Sequence, residues 1–270
     1  YTLDNLERLK DFGAFDSNYL SIVRPDGTYD IYDGLLRART QDGSLIFDRV
    51  DNQDYHEYIA EEVKNWSYMK FPFIRSLGPD TGWYRVGPLA RVNNCDCFDT
   101  PRAEAERKIF VSLTDGKPNK LSMAYHWARM IELLHSAEMI ESLLNDPDLQ
   151  GNDLVVTGER RSEAVGIIEA PRGTLFHHYR VNEQDQVTMA NLIVSTTSNN
   201  TPMNRAVQDV AEKYISNAPE ITEGLLNHIE VAIRAYDPCL SCATHAMGQM
   251  PLIVELIDAQ GKIVDRKVKG

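Results

Sequence analysis

Two thiols and an imidazole lie close together near the end of this 270-residue sequence, in the stretch "YDPCLSCATHAMGQMP". They belong to Cys239, Cys242 and His245. A Cys-x-x-Cys pair has three ordinary interpretations, namely half of a structural zinc site, a thioredoxin-like redox pair, or no special role. The redox interpretation is disfavoured, because such a pair is expected just after a strand near the front of a domain, whereas this one follows a predicted helix.

The other two cysteines, Cys95 and Cys97, form a Cys-x-Cys pair. By ligand count, all four thiols could build a four-thiolate zinc site, although this spacing is less usual for zinc than Cys-x-x-Cys. So few and so clustered cysteines in a chain of this size do not indicate the disulfide framework of a secreted protein. The cysteines therefore predict metal or redox chemistry, and the zinc site stays open as a structural competitor.

Composition limits the class of protein. With 43% apolar and 25% charged residues, the chain can bury a sizeable core as one large domain or two modest ones. Its formal charge of -12 argues against nucleic acid or an anionic membrane surface as the main partner. The sequence shows no apolar run near the ~20 residues of a membrane span and no signal peptide, so a cytoplasmic location is predicted.

In the first half of the chain, periodicity predicts short elements and one long helix. Residues 2–12 fit a helix, and "NYLSIV", "TYDIYD" and "SLIFDRV" fit strands of a small antiparallel layer. Three helices are predicted. One lies at 51–66, one begins after Thr100 as N-cap with Pro101 in its first turn, and one lies at 120–144. The last is the longest, and its apolar stripe for packing in a bundle comprises Met130, Leu133, Ala137, Ile140 and Leu144.

The second half must position the cysteine segment. Strands are predicted at "EAVGIIEA", "TLFHHYRV" and "VTMANLIVS", the first two joined by a turn at 171–173. Helices at 202–215 and 222–235 follow, and a terminal hairpin turns at 259–261. The predicted fold class is therefore α+β, a long helical bundle core with small antiparallel sheets and hairpins. The cysteine segment hangs from the end of a helix.

The string "RAYDPCLSCATH" resembles the carboxy-terminal ligand motif of nickel-iron hydrogenase large subunits, in the form used by the soluble, bidirectional NAD-reducing group. Four further segments resemble the same group in order: "RVGPLARVNNCD", "EAPRGTLFHHY", "NLIVSTTSNN" and "HAMGQMPL". The resemblance covers essentially the whole chain. It implies a hydrogenase large-subunit-like fold, present here in incomplete form.

The resemblance also implies a metal site. In the family, four thiolates hold nickel, and two of them bridge to an iron that carries carbon monoxide and cyanide. By similarity, Cys239 is a terminal nickel ligand, Cys242 is a bridging one, and His245 helps to bind a divalent ion such as Mg²⁺. Soft sulfur donors suit such metals. We expect the two sulfurs to face one buried cavity beneath the guanidinium of Arg172.

Four other residues receive roles from the resemblance. Pro171 and Arg172 match an Ala-Pro-Arg-Gly segment whose backbone contacts the cyanide groups and whose arginine is suspended over the open metal position, as a charged group that lysine would not replace. Thr196 matches the position of a donor to the other cyanide. Asp237 is expected to pair with the arginine or to order its surroundings. Without the resemblance, a hairpin arginine and polar turn residues have purely local explanations.

The implied reaction is heterolytic splitting of dihydrogen, with the thiolate of Cys239 taking the proton. Electrons would pass through an iron-sulfur small subunit to NAD on diaphorase subunits. The alternatives are a coenzyme F420-linked or sulfur-linked hydrogenase, and a non-catalytic, zinc-stabilised or metal-free scaffold of the same fold.

The chain departs from the family pattern at its start. The family's other thiolate pair and its amino-terminal proton-passing glutamate have no match between Tyr1 and Asp96. We therefore expect residues 1–270 to be the carboxy-terminal part of a large subunit, completed by further chain or by a second polypeptide, and inactive alone. Residues 246–270 are predicted to be a precursor extension that a maturation endopeptidase removes after His245, once nickel-insertion factors have acted.

Overall fold

The structure is a computed structural model that describes residues 5–216, 218–244, 248 and 251–269. Its strands are β1 Asn18–Val23, β2 Leu35–Arg39, β3 Leu45–Val50, β4 Ile59–Val63, β5 Lys70–Ile74, β6 Tyr84–Arg85, β7 Glu163–Ala170, β8 Gly173–Val181, β9 Val187–Ile193, β10 Leu252–Ile257 and β11 Ile263–Lys269. Its helices are α1 Leu6–Leu9, α2 Tyr55–Tyr58, α3 Gly78–Thr81, α4 Pro88–Asn94, α5 Pro101–Ser112, α6 Ala124–Leu144, α7 Ser195–Ser198, α8 Asn200–Tyr214, α9 Glu223–Ala235 and α10 Leu240–Thr244.

The described strands form four small sheets. One has the order β3-β2-β1-β6, antiparallel except for the parallel pair β1–β6. Another is the antiparallel meander β7-β8-β9, and the two remaining sheets are the antiparallel pairs β4-β5 and β10-β11. In the meander Ala170 pairs with Gly173, which leaves Pro171 and Arg172 as a two-residue hairpin turn. The register of this hairpin therefore fixes where Arg172 projects.

Two apolar cores hold the elements together. The larger lies between the helices and contains Leu89 of α4, Phe110 of α5, Ile131 of α6 and Val210 of α8. The smaller lies between the sheets and contains Ile22 of β1 and neighbours such as Leu36, Phe176 and Ile193. Burial of these side chains supplies the main favourable free energy of folding. The α+β class, with a helical core and small antiparallel sheets, is confirmed.

Several elements agree closely with their sequence patterns. β1 and β7 coincide with "NYLSIV" and "EAVGIIEA", and β8, β9 and the terminal hairpin agree within a few residues. α9 begins after Thr222, whose side chain accepts a hydrogen bond from the Leu225 amide, as expected of an N-cap. Thr100 also precedes its helix, but no side-chain cap bond forms there, because its hydroxyl bonds to Nδ1 of His135 at 2.8 Å.

The predicted helix at 51–66 is wrong. A 3-10 turn at Asn52–Asp54 and the single turn α2 lead directly into β4, which starts at Ile59 with extended dihedrals of φ -114 and ψ 133. Ile59 pairs with Ile74 and Val63 pairs with Lys70 across the β4–β5 ladder. The spacing of the apolar residues fitted a helix, but pairing with a strand later in the chain decided the structure.

The predicted strand "TYDIYD" does not form either, apart from an isolated bridge between Thr28 and Cys97. The carboxylate of Asp30 accepts hydrogen bonds from the amides of Tyr32 and Asp33 at 2.8 and 2.9 Å. Such local side-chain bonds compete with strand ladders and favour turns. The short helix predicted at 2–12 appears among the described residues as α1, while residues 1–4 lie outside them.

The longest helix is α6, as expected, but its burial differs from the prediction. Its inward face consists of residues near its amino end, namely Ala124, Tyr125, Trp127, Ala128 and Ile131. The predicted stripe is largely exposed, with Met130 at 56%, Leu133 at 61% and Leu144 at 67% of their reference areas. Only the first half of α6 therefore packs in the core. None of the helices in the described ranges combines the length and apolar character that a bilayer crossing needs.

Candidate functional site

The cysteine segment leaves the end of α9 through a sharp turn. Asp237 has a φ of 51, in the left-handed region that residues other than glycine seldom adopt. The chain then passes Pro238 and enters α10, so that Cys239 and Cys242 lie one helical turn apart. Their Cα atoms are 5.4 Å apart and their sulfurs are joined in a disulfide. The two sulfurs thus occupy one place, and reduction would give two adjacent thiols.

This place is open rather than enclosed by the described residues. Cys242 is exposed, and the side chains of Arg172 and Asp237 retain 41% and 49% of their accessible areas. The expectation of a buried cavity is therefore not met by this chain. A second wall would have to come from atoms outside the described residues, which agrees with a site that needs further ligands.

Arg172 contacts the cysteine turn directly. Its Nε donates a hydrogen bond to the backbone oxygen of Asp237 at 2.5 Å and lies 3.3 Å from the Asp237 carboxylate. The Arg172 side chain thus pairs with both the backbone carbonyl and the carboxylate of Asp237. The predicted pairing of Arg172 with Asp237 is present, and it lies two residues before Cys239.

Thr196 is the third predicted residue at the site. It is 2% exposed on α7, and its Oγ1 accepts a hydrogen bond from the Cys239 amide at 3.1 Å. A hydroxyl that accepts such a bond can still donate its own hydrogen. The preceding residue, Ser195, donates to the carbonyl of Gly173 at 2.6 Å. Adjacent residues of α7 therefore bind both the cysteine turn and the arginine turn.

The Pro171–Arg172 turn is packed against the start of α4. A Cβ atom added to Gly87, where φ is 89, would lie 2.8 Å from the carbonyl oxygen of Arg172. One added to Gly173, where φ is 134, would lie 2.3 Å from Cγ2 of Val86. Both positions therefore need glycine for the backbones to approach so closely. Pro171 itself is exposed at the surface.

Three charged residues lie behind this turn, two of them buried and the third, Glu132, only 12% exposed, and the sequence reasoning gave them no role. Arg91 of α4 makes ion pairs with Glu132 of α6 at 2.5 Å and with Glu169 of β7 at 2.9 Å. Burial opposes the charged guanidinium, but the two carboxylates outweigh it and raise the pKa of Arg91 well above its usual value. Complete burial raises the pKa of the Glu169 carboxyl, and the charge of Arg91 and the hydrogen bonds that Glu169 accepts offset only part of this effect. Arg91 and Glu169 lie inside segments that carried the resemblance, but nothing local in one sequence pairs them with Glu132.

Arg129 of α6 was also missed. It donates to the carbonyl oxygen of Ala235 at 2.9 Å, directly before the cysteine segment, and its Nε is buried without a described partner. Burial lowers the pKa of Arg129, while the nearby Asp237 carboxylate acts in the opposite direction. Two arginines therefore contact the short connection from α9 to Cys239.

The four-thiolate zinc site is wrong. In the described ranges, no three His, Cys, Asp or Glu side chains converge in a way that could hold a metal ion. Cys95 is buried beside α4, and burial raises the pKa of its thiol far above the usual range, which disfavours the thiolate a metal needs. Cys97 instead lies 3.6 Å from the hydroxyl of Thr28. His245, predicted to bind a divalent ion, lies outside the described residues.

Comparison with known proteins gives one consistent result. The family model for nickel-dependent hydrogenases matches residues 24–245. The NAD-reducing hydrogenase HoxS subunit beta of Cupriavidus necator is 48% identical over 253 residues, covering 93% of this chain and 52% of that protein. An iron-sulfur subunit of the F420-non-reducing hydrogenase of Archaeoglobus profundus is 44% identical over 257 residues, covering 92% of this chain and 52% of that protein.

A solved structure agrees with these relatives. The crystal structure of an NAD+-reducing NiFe hydrogenase in the H2-reduced state superposes with a TM-score of 0.86 at 49% identity, covering 90% of this chain and 54% of that one. This chain thus spans about half the length of the curated relatives it matches. The fold is shared with the solved structure, and the residues that the family model matches, 24–245, include Cys239 and Cys242.

Proposed function

Because this chain belongs to the nickel-dependent hydrogenase family, we propose that it is part of the catalytic large subunit of a hydrogenase that splits dihydrogen and passes the electrons to NAD. The observation that carries the proposal is the convergence of the sulfurs of Cys239 and Cys242 beside the Arg172–Asp237 pair. The NAD-linked relative at 48% identity favours NAD as the acceptor.

The donor set fits half of a nickel-iron centre. Cys239 and Cys242 would supply two soft thiolates, the donors that such metals prefer. When bound, the centre would act as a Lewis acid on dihydrogen and accept the electron pair of the H–H bond. Carbon monoxide and cyanide on the iron, and a Mg²⁺ ion near His245, belong to the same proposal. The other two thiolates must come from outside residues 1–270.

The chain's own residues would then position charge and take up the proton. Sγ of Cys239 would be the group that accepts the proton when dihydrogen is split, and Sγ of Cys242 would serve as the second thiolate donor. Arg172, held by Asp237, would place a permanent positive charge over the reacting position. The hydrogen bond from the Cys239 amide to the Thr196 hydroxyl would keep the Cys239 backbone fixed during this transfer. Pro171 and Thr196 would help to hold the centre in place.

Partners follow from the same proposal. A small subunit with an iron-sulfur cluster would receive the electrons and diaphorase subunits would carry NAD, in a cytoplasmic complex. Nickel-insertion factors and an endopeptidase would act on the extension at 246–270. In that extension Asp265 accepts from the Ile221 amide at 2.8 Å and Lys269 lies 2.9 Å from Glu230 of α9. Removal after His245 would release these contacts.

The proposal is tested by metal analysis and hydrogen uptake of the complete hydrogenase that contains this chain. We expect nickel and iron in equal amounts, and loss of nickel in both Cys239→Ser and Cys242→Ser. Cys97→Ser is the matched control, since this thiol lies outside the site, and it should retain both metals. Zinc alone in the purified protein would instead support the non-catalytic scaffold, and nickel retained in both site variants would overturn the assignment of these two cysteines as its ligands.

The role of the arginine has its own control. Arg172→Lys should lower hydrogen uptake at least about tenfold with nickel and iron retained, because a lysine ammonium lacks the planar donor set that binds Asp237. Arg180→Lys changes an exposed arginine on β8, the strand that follows the turn, where it pairs with Glu163, and it should leave uptake unchanged. Equal uptake in wild type and Arg172→Lys would remove Arg172 from the mechanism.

A further inference from the structure

The guanidinium of Arg91 is fully engaged in the interior of the protein. Its Nε and one terminal nitrogen bind the Glu132 carboxylate at 2.5 and 2.8 Å. The other terminal nitrogen donates to Glu169 and to the carbonyl oxygen of Ala170, both at 2.9 Å. A last contact, at 3.4 Å, reaches the carbonyl oxygen of Pro171. An arginine has five N–H donors, and these contacts use all of them.

The two backbone contacts matter most for the site. Ala170 and Pro171 directly precede Arg172 in the two-residue turn between β7 and β8. One α-helical turn before Arg91, Gly87 lies against the carbonyl of Arg172. Gly87, the residue directly before α4, and the Arg91 side chain of α4 therefore lie together against three successive carbonyls of the turn.

Each carboxylate around Arg91 is itself fixed from another element. Glu169 has no exposed side-chain area, and its other oxygen accepts from the Ile22 amide at 3.0 Å and the Thr174 hydroxyl at 2.7 Å. Glu132 extends from α6, and its side chain is 12% exposed. Through these two carboxylates, the guanidinium is connected to β1, β8 and α6, in addition to its contacts with the turn. Its position has little freedom to vary.

We propose that Arg91 is a positioning residue, which fixes the Pro171–Arg172 turn so that the Arg172 side chain stays over the Asp237–Cys239 segment. This inference rests on the proposed function for its catalytic consequence, but not for its structural part. Among the described residues, the Arg91 guanidinium donates to no atom of Cys239 or Cys242. It acts through the carbonyls of Ala170 and Pro171.

The test compares two buried arginines in the complete hydrogenase. Arg91→Lys keeps the charge beside Glu132 and Glu169 but offers three donors in place of five, so it cannot reach both carboxylates and both carbonyls. Arg85→Lys is the matched control. Arg85 is also fully buried, but its guanidinium interacts with the Lys120 carbonyl, the Ser122 and Tyr236 hydroxyls and the Phe15 ring, and it bonds to no described carbonyl of the turn.

Amide hydrogen exchange of the turn is the first measurement. In Arg91→Lys we expect exchange at 170–174 to become at least about tenfold faster, with a change of less than about twofold at 182–186, the turn at the other end of the same sheet. Arg85→Lys should not accelerate exchange at 170–174 selectively. The positioning role is wrong if the amides at 170–174 exchange at the wild-type rate in Arg91→Lys. It is also wrong if both variants accelerate exchange evenly along the chain.

Kinetics supply the second measurement. Arg91→Lys should lower kcat about tenfold with KM for dihydrogen within about twofold, because orientation is lost and not binding. In an Arg172→Lys background, Arg91→Lys should cost nothing further; an additive loss would show that Arg91 acts by another route. If the complete protein has no hydrogenase activity, the proposed function fails, while the exchange result still decides the positioning.

A second variant covers a failure to fold. If Arg91→Lys does not accumulate, Glu132→Gln keeps Arg91 in place but weakens its carboxylate anchor. It should raise exchange at 170–174 by a smaller factor than expected for Arg91→Lys and still by more than at 182–186. Equal exchange of the two turns in Glu132→Gln would overturn the proposal.

Discussion

Replacing Thr196 by valine isolates one contact of the cysteine turn. Valine keeps the branched shape of threonine but removes the oxygen that accepts the Cys239 amide at 3.1 Å. The amide then lacks its partner in a partly buried position. Leaving a buried donor without a partner costs about 1–3 kcal/mol of stability. Because this amide is only partly buried, we expect a cost of about 1–2 kcal/mol. That range corresponds to about a 5- to 30-fold change in an opening equilibrium.

The assay is amide exchange of Cys239 under conditions where the rate reports the opening equilibrium. Thr196→Val should speed exchange of this amide by that factor, and Thr196→Ser, which keeps a hydroxyl, should stay near the wild-type rate. Thr197→Val is the matched control, because Thr197 is similarly buried on α7 and no described contact joins it to Cys239. An unchanged Cys239 rate in Thr196→Val, or an equal acceleration in Thr197→Val, would refute the assignment.

Three further predictions concern the framework. Phe110→Ala removes a fully buried ring and should lower the free energy of unfolding in urea by about 3–5 kcal/mol, whereas Ile109→Ala, at a 44% exposed neighbour, should cost far less. Burial lowers the pKa of His135 below 6.5, so the unfolded chain binds the proton more readily. Thermal stability should therefore fall as the pH drops through about 6.5, and His135→Gln should flatten this dependence. Cys95, whose thiol pKa is raised by burial, should resist alkylation until the chain unfolds, and Cys97 should react first, as peptide mass spectrometry can show.

Local chemistry was enough to predict many of the elements. The β7–β8 hairpin has alternating strands around a Pro-Arg-Gly turn, and Thr222 caps α9 within its own helix. In both places the residues that decide the structure are neighbours in sequence. The pairing of Arg172 with Asp237 came from the resemblance and not from spacing, since 65 residues separate them.

Long-range competition decided the elements that were predicted wrongly. The segment at 51–66 carries apolar residues at helical spacing, but β5 offers Ile59 a partner strand, and the ladder outweighs local propensity. The exposed stripe on α6 is a second feature that local sequence could not predict. Its amphipathic pattern indicates that a face will be covered, but it does not say that residues 1–270 supply the cover.

The group of Arg91, Glu132 and Glu169 behind the site could not be predicted from the sequence, because its contacts are also long-range. Arg91, Glu132 and Glu169 come from three elements separated by tens of residues, and each alone would be assigned to a solvated surface. Only the fold shows that they are buried and that they meet at the carbonyls of the arginine turn. A buried ion group of this kind adds little stability over apolar packing, so its value lies in fixing geometry.

Two independent routes set the distance between the arginine turn and the cysteine turn. The direct one is the hydrogen bond from Arg172 to Asp237. The indirect one runs through α7, where Ser195 binds Gly173 and Thr196 binds Cys239. Because adjacent residues of one buried helical turn hold both segments, loss of either route alone leaves the other as a restraint. Their combined loss should therefore exceed the sum of the separate losses, and this coupling explains how a site that is open on one side can still be preorganised.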